Sequence, residues 1–131
     1  PEENARPAAL KIKTTASFAV VGTLAVGTDK APTILAPCTL TITKVKLVVK
    51  TAPTGATIIV DVNKNGTTIF TNQANRPQIA IGATTGDSGT PDIIALSETD
   101  KITVDIDQVG SGTAGADLTI EVVTSQSVAF S

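Results

Sequence analysis

The chain has 131 residues, of which 41% are hydrophobic and 17% charged, and a formal net charge of -2. That length fits one domain, and the composition is too apolar for a disordered chain. The small net charge gives no electrostatic reason to expect nucleic acid or anionic lipid as a partner, and no apolar run approaches the roughly 18 residues that span a bilayer.

In chain order, Pro1-Glu2-Glu3-Asn4 lacks the basic-then-apolar layout of a signal peptide. Pro1 is what removal of an initiator Met leaves, so a nearly complete gene product is expected. Residues 1–15, with Pro1, Pro7 and mixed charges, read as an extended N-terminal arm. Lys11 and Lys13 flank Ile12, where a short strand could begin. Residues 16–131 read as one β-sandwich domain.

Residues 18–26 form an apolar run interrupted at Gly22, and residues 32–36 a short second run closed by Pro37. Residues 39–50 make the longest run, and its phase is informative. Leu40 and Ile42 share one face, whereas Val45, Leu47 and Val49 share the other, so a bulge or bend is expected at Thr43-Lys44. Ala52-Pro53-Thr54-Gly55 is a turn. Residues 57–63 and 67–71 pair across Asn63-Lys64-Asn65-Gly66, because Asn-Gly tolerates the positive φ that a two-residue hairpin loop needs.

Residues 72–90 read as a long Gly-containing connection, and residues 92–96 as a short strand before the polar turn at 97–100. Residues 101–109 alternate, with Ile102, Val104 and Ile106 inward and Thr103, Asp105 and Asp107 outward. A flexible loop is expected at 110–115. Residues 117–124 alternate again through Leu118, Ile120 and Val122, and residues 127–130 could add an edge strand. The result is an all-β antiparallel sandwich of about eight strands, a jelly roll being favoured over an immunoglobulin-like arrangement.

Aromatic residues make up only 2% of the chain, all of them Phe, and Trp, Tyr, Met and His are absent. Val, Ile, Leu and Ala must therefore fill the core, with Phe18, Phe70 and Phe130 joining them. The single Cys38 excludes an intrachain disulfide and reads as a small buried hydrophobe.

Catalysis is constrained by the same absences. Without His, neither Ser-His-Asp nor Cys-His chemistry is possible, and a zinc site would rest on carboxylates and one thiolate. No Walker A or GxSxG string occurs. Asp105, Asp107, Asp61 and Glu121 read as outward charges on exposed sheet faces rather than as a glycosidase pair. The expectation is a non-enzyme with no cofactor and no resident metal. Asp61-Val62-Asn63-Lys64-Asn65-Gly66 does match the first half of a calcium loop, but its twelfth position is Asn72 and strands flank it, so whether it binds calcium stays open. Sugar binding lacks Trp or Tyr to stack a ring. Arg6, Lys11 and Lys13 are too few for nucleic acid, and no stacking aromatics accompany them.

Three separated blocks carry a resemblance: residues 51–70 (TAPTGATIIVDVNKNGTTIF), 75–79 (NRPQI) and 101–110 (KITVDIDQVG). In that order they resemble the β-sandwich domain family of bacteriophage virion proteins, found in head-fibre, tail-fibre and minor structural proteins. The resemblance covers roughly residues 17–124. It implies a virion component made in the bacterial host cytoplasm, with no catalytic residues to carry over.

The short length and the arm favour a capsid decoration (cement) protein or small head appendage on the capsid surface, which binds and stabilises the assembled shell. The alternative is a tail or head adhesin that binds a receptor or glycan. The implied partners are the major capsid protein and the chain itself, as a homotrimer, with no nucleic acid and no membrane. Arg6, Lys11 and Lys13 are the expected capsid or partner contacts. The adjacent apolar pairs Ile58-Ile59 and Val122-Val123 exceed what one core face needs and point the same way, to oligomerisation.

Overall fold

Two antiparallel sheets face each other across an aliphatic core in the computed structural model, which describes the backbone of residues 9–129 and the side chains of residues 10–127. Ten strands are described: β1 (Ala9–Thr23), β2 (Ile34–Leu35), β3 (Leu40–Thr51), β4 (Ile58–Lys64), β5 (Thr67–Thr68), β6 (Gln78–Ile79), β7 (Thr85–Asp87), β8 (Ala95–Leu96), β9 (Lys101–Gln108) and β10 (Ala116–Ala129). A 3-10 turn, Gln73–Asn75, lies between β5 and β6.

One sheet runs β1-β10-β3-β7, with β8 also on β3; the other runs β2-β9-β4-β5, with β6 also on β4. Four pairings are nested: β4 with β5 and β6, β3 with β7 and β8, β2 with β9, and β1 with β10. They describe one long hairpin folded at β4–β5. The pairs β10–β3 and β9–β4 then roll that hairpin into two sheets. Because β5 and β6 share one position and β7 and β8 another, eight positions result, which is the jelly roll.

Register follows from burial. β3 keeps Leu40, Ile42, Val45, Leu47 and Val49 all inward, although the last three are out of phase with the first two. The expected bulge reconciles them: Val123 of β10 lies opposite Lys44 and Thr124 opposite Ile42, so Thr43 is the extra residue. From the second sheet, Ile58, Val60, Val62, Ile102, Val104 and Ile106 meet this row, with Phe18, Ile69 and Phe70 filling the ends. Each such fully buried side chain contributes about 1.5–3 kcal/mol of transfer free energy. Cys38 is only half-buried at the margin of this core.

The β4–β5 hairpin has the expected two-residue loop, with Asn65 at φ 50 and Gly66 at φ 85, and Lys64 opposite Thr67.

Four expectations need correction. First, β1 begins at Ala9, so residues 9–15 are paired strand rather than free arm. Leu10 and Ile12 are in phase with Phe18, and the end of β10 supplies their ladder partners; the intervening lysines disguised the alternation. Residues 1–8, with Arg6, lie outside the described residues.

Second, residues 72–90 are not a plain connection. They hold the 3-10 turn, β6 and β7, which are too short to show a period. Third, the loop 110–115 is pinned: Thr113 N–H donates to Thr54 Oγ1, Gly112 N–H to the Thr54 carbonyl and Gly110 N–H to the Ala114 carbonyl. Fourth, residues 127–129 prolong β10, paired with the start of β1, rather than forming a separate strand.

Two glycines separate conformational from steric demand. A Cβ on Gly66 would meet nothing within 4 Å, whereas one on Gly86 would lie 1.8 Å from the Gln78 carbonyl oxygen. Gly66→Ala is therefore expected to cost about 1–2 kcal/mol for the left-handed backbone. Gly86→Ala is expected to cost about 3 kcal/mol, because β6 and β7 must move apart. Urea unfolding of the two variants checks the ranking.

Candidate functional site

The outer face of the β2-β9-β4-β5 sheet carries the carboxylates singled out by sequence. Strand alternation sends Asp61, Asn63, Asp105 and Asp107 outward while Val60, Val62, Val104 and Ile106 pack inward, and Asp61 lies directly opposite Asp105. Asp61 is nevertheless buried, at 7% exposure, which corrects the expectation of a solvated charge.

β5 and the 3-10 turn fold over Asp61. Its Oδ1 accepts from Thr68 Oγ1 at 2.6 Å and from the Val62 N–H at 2.9 Å, while Gln73 Nε2 reaches its Oδ2 at 3.4 Å. Burial pushes its carboxyl above the ordinary aspartate range, the Thr68 and Gln73 hydrogen bonds opposing this in part, and Asp107 adds like-charge repulsion.

The neighbouring carboxylates are also engaged. Asp105 accepts from the Asp29 N–H and from Asn63 Nδ2, and Asp107 pairs with Arg76 at 2.7 Å. Asn65 spans to the next turn: Nδ2 donates to Asp100 Oδ1, and its own Oδ1 accepts the Lys101 N–H. The Ser97 N–H, together with Asn65, holds the Asp100 carboxyl below the ordinary range.

The residues of the calcium-like string thus brace strands against one another. Among the described residues, no three His, Cys, Asp or Glu side chains gather where a metal ion could be held. Glu121, on the other sheet, faces Lys46 across the β10–β3 ladder and does not join this group.

Lys11 and Lys13 lie on β1. They point to the outer face, opposite Ser127 and Ser125 of β10, with no acidic residue directly across. β10 loses its second partner beyond Ser125. Residues 9–12 and 126–129 therefore form a two-stranded ribbon that projects past the rest of the sheet. Its inner face displays Leu10 and Ile12, at 49% and 38% exposure.

Where the ribbon leaves the sandwich, an apolar cleft of about 300 Å³ opens between the two sheets, lined by Ala16, Ile34, Ala36, Cys38, Leu40 and Leu96 among others. Sequence reading found the two lysines but not the cleft. Its walls come from five separated segments, and no local period links them. Ile59 and Val123, the second members of the apolar pairs, lie half-buried on the two outer faces.

No family model and no curated protein matches the chain. Among solved structures, it superposes on a chain of the cyanophage Pam1 capsid asymmetric unit with a TM-score of 0.53 and 15% identity, over 90% of this chain and 86% of that one. Turnip yellow mosaic virus gives a TM-score of 0.37 at 12% identity, over 95% and 97% of the two chains. Desmodium yellow mottle tymovirus gives 0.34 at 10% identity, over 96% and 85%. The last two scores are too low to carry an argument. The first is a likeness of fold.

The raised Asp61 carboxyl fixes the sign of one pH effect. The folded chain holds that proton more tightly than the unfolded chain does. Asp61's contribution to stability is therefore full in acid and declines as pH rises through the raised value. Asp61→Asn removes this titration. The stability of the wild type relative to the variant should fall as pH rises from the ordinary aspartate range through the raised value, measured by urea unfolding at a series of pH values.

Proposed function

We propose that the chain is a structural component of a virion, and specifically a decoration protein that binds the outside of an assembled capsid and stabilises it. The observation that carries this reading is the jelly roll itself, which matches a chain of the cyanophage Pam1 capsid asymmetric unit almost end to end in both directions. Since each chain covers most of the other, the two are of similar length.

The surface chemistry agrees. The carboxylates brace strands, and the cleft is apolar and lacks a general base. Among the described residues, both Phe side chains lie in the core, which leaves no aromatic platform on which an adhesin would stack a sugar. A protein that binds only the assembled shell shifts the assembly equilibrium by mass action and needs no covalent chemistry.

The major capsid protein is the proposed partner, and Arg6, Lys11 and Lys13 are the proposed contacts. Lys11 and Lys13 stand side by side on the outer face of β1, where the ribbon meets the sheet, uncompensated across the ladder, and Arg6 precedes them in the chain. Two lysines without opposing acids favour an acidic patch on the shell, at a modest energy that salt screens.

Purified protein mixed with capsids that lack it should co-sediment with assembled shells but not with free capsid subunits, and should raise the shell's melting temperature. Removing residues 1–8 leaves every described strand intact. This truncation should keep the domain's own melting temperature while weakening shell binding. Lys11→Glu should weaken binding roughly tenfold, about 1.4 kcal/mol, at low salt and less at high salt. Full-strength co-sedimentation of both variants would contradict the assigned contacts; no binding by the wild type would contradict the decoration role.

A further inference from the structure

The edges of the two sheets are unequal. Among the described strands, β2, β5, β6 and β8 have two residues each and β7 has three, so those edges offer almost no template for another strand. β1 has fifteen residues and only one neighbour, β10. Its inward positions, Leu10, Ile12, Thr14, Ala16, Phe18 and Val20, include no charge, and residues 14–20 contain no charge, Pro or Gly. The devices that usually keep an edge from pairing are confined to its two ends. Lys11 and Lys13 stand at the start, and the bulge between Val20 and Thr23, with Gly22 at φ 90, lies at the finish.

We propose that β1 is a dimerisation edge that pairs antiparallel with β1 of a second copy, joining two β1-β10-β3-β7 sheets into one continuous sheet across a two-fold axis. The inference does not depend on where the protein sits in a particle. A two-fold perpendicular to the sheet keeps inner faces inner, so residues that oppose each other must share parity. The regular part of β1 runs from Ala9 to Val20, which leaves Thr14 or Thr15 at the centre.

Charge decides between them. With Thr14 central, each Lys13 faces Thr15 of the other copy, and the two Lys13 backbones come within about 8 Å, from two residue steps and one strand spacing. With Thr15 central they stand about 14 Å apart, beyond the screening length at physiological salt.

The Thr15-centred register has further complementarity. Leu10 and Ile12, exposed in the single chain, fall opposite Val20 and Phe18 on the inner face. On the outer face Lys11 falls opposite Ala19 and Lys13 opposite Ser17. Ser17 is itself paired with Glu121, so Lys13 of one copy lies two strands from Glu121 of the other, about 10 Å between backbones and within reach of a lysine side chain. The second copy is the occupant that this self-complementarity selects. The contact is isologous, so it makes a dimer rather than the homotrimer that the family resemblance implies.

The test places a cysteine on the axis in a Cys38→Ser background. Thr15→Cys would face its own copy at the separation of directly opposed antiparallel residues, about 4.5–5.5 Å between Cα atoms, which a disulfide spans. Ser17→Cys is the register control, since the two copies of residue 17 would lie about 14 Å apart along the strands.

Light scattering on the wild type should give twice the 13.3 kDa chain mass. Mild oxidation should cross-link Thr15→Cys at a rate at least tenfold above Ser17→Cys. A monomer mass at about 100 μM with no preferential cross-link would overturn the proposal, as would a threefold mass or equal cross-linking at both positions. Cross-linking of Thr15→Cys only to another capsid component would overturn it in favour of a shell strand as the occupant.

Discussion

The inward rows of β3 and β10 on one sheet and β4 and β9 on the other hold this molecule together, and every other feature is placed by their contact. With no Trp, Tyr or Met in the chain, the space between the sheets is filled by Val, Ile and Leu, whose branched side chains have few rotamers and pack at a fixed spacing. Such a core tolerates no slip in register, because one residue of slip would turn a whole row toward solvent. The bulge at Thr43-Lys44 is the clearest consequence. It inserts one residue so that Leu40 and Ile42 face the same core as Val45, Leu47 and Val49.

The same contact leaves two parts of the surface unlike each other. On the outer face of the β2-β9-β4-β5 sheet, β5 and the 3-10 turn bury Asp61, and the carboxylates are tied into Thr68, Gln73, Asn63 and Arg76. Where β1 and β10 run past their neighbours, a cleft lined by Ala16, Ile34 and Cys38 stays uncovered between the sheets. Polar side chains in the first part are satisfied internally, whereas apolar side chains and lysines in the second are not. Partners are therefore to be sought along β1 and the ribbon, whether another copy or a shell.

Much of the fold was legible in sequence because its long strands alternate cleanly. Ile102, Val104 and Ile106, the Asn65-Gly66 turn and the phase break at residue 43 each have a local signature with one physical cause. The failures share a cause as well. β6 and β7 have two or three residues, less than one full alternation, and exist because β4 and β3 offer ladder positions to them. β1 was cut short because Lys11 and Lys13 masked a strand that distant residues at the chain's other end complete. Asp61 looks solvated in its strand, and only tertiary packing of β5 and Gln73 over it shows otherwise. The cleft had no signal at all, being assembled from β1, β3, β8, β9, β10 and residues 34–38.

If this jelly roll is an exterior component of a capsid, as proposed, the particle itself gives the most direct answer. A reconstruction of the intact virion by cryo-electron microscopy should show density of this fold on the outer capsid surface, with the β1/β10 ribbon nearest the shell. Density of this fold confined to the tail tip or fibres, with a bare capsid surface, would contradict the account.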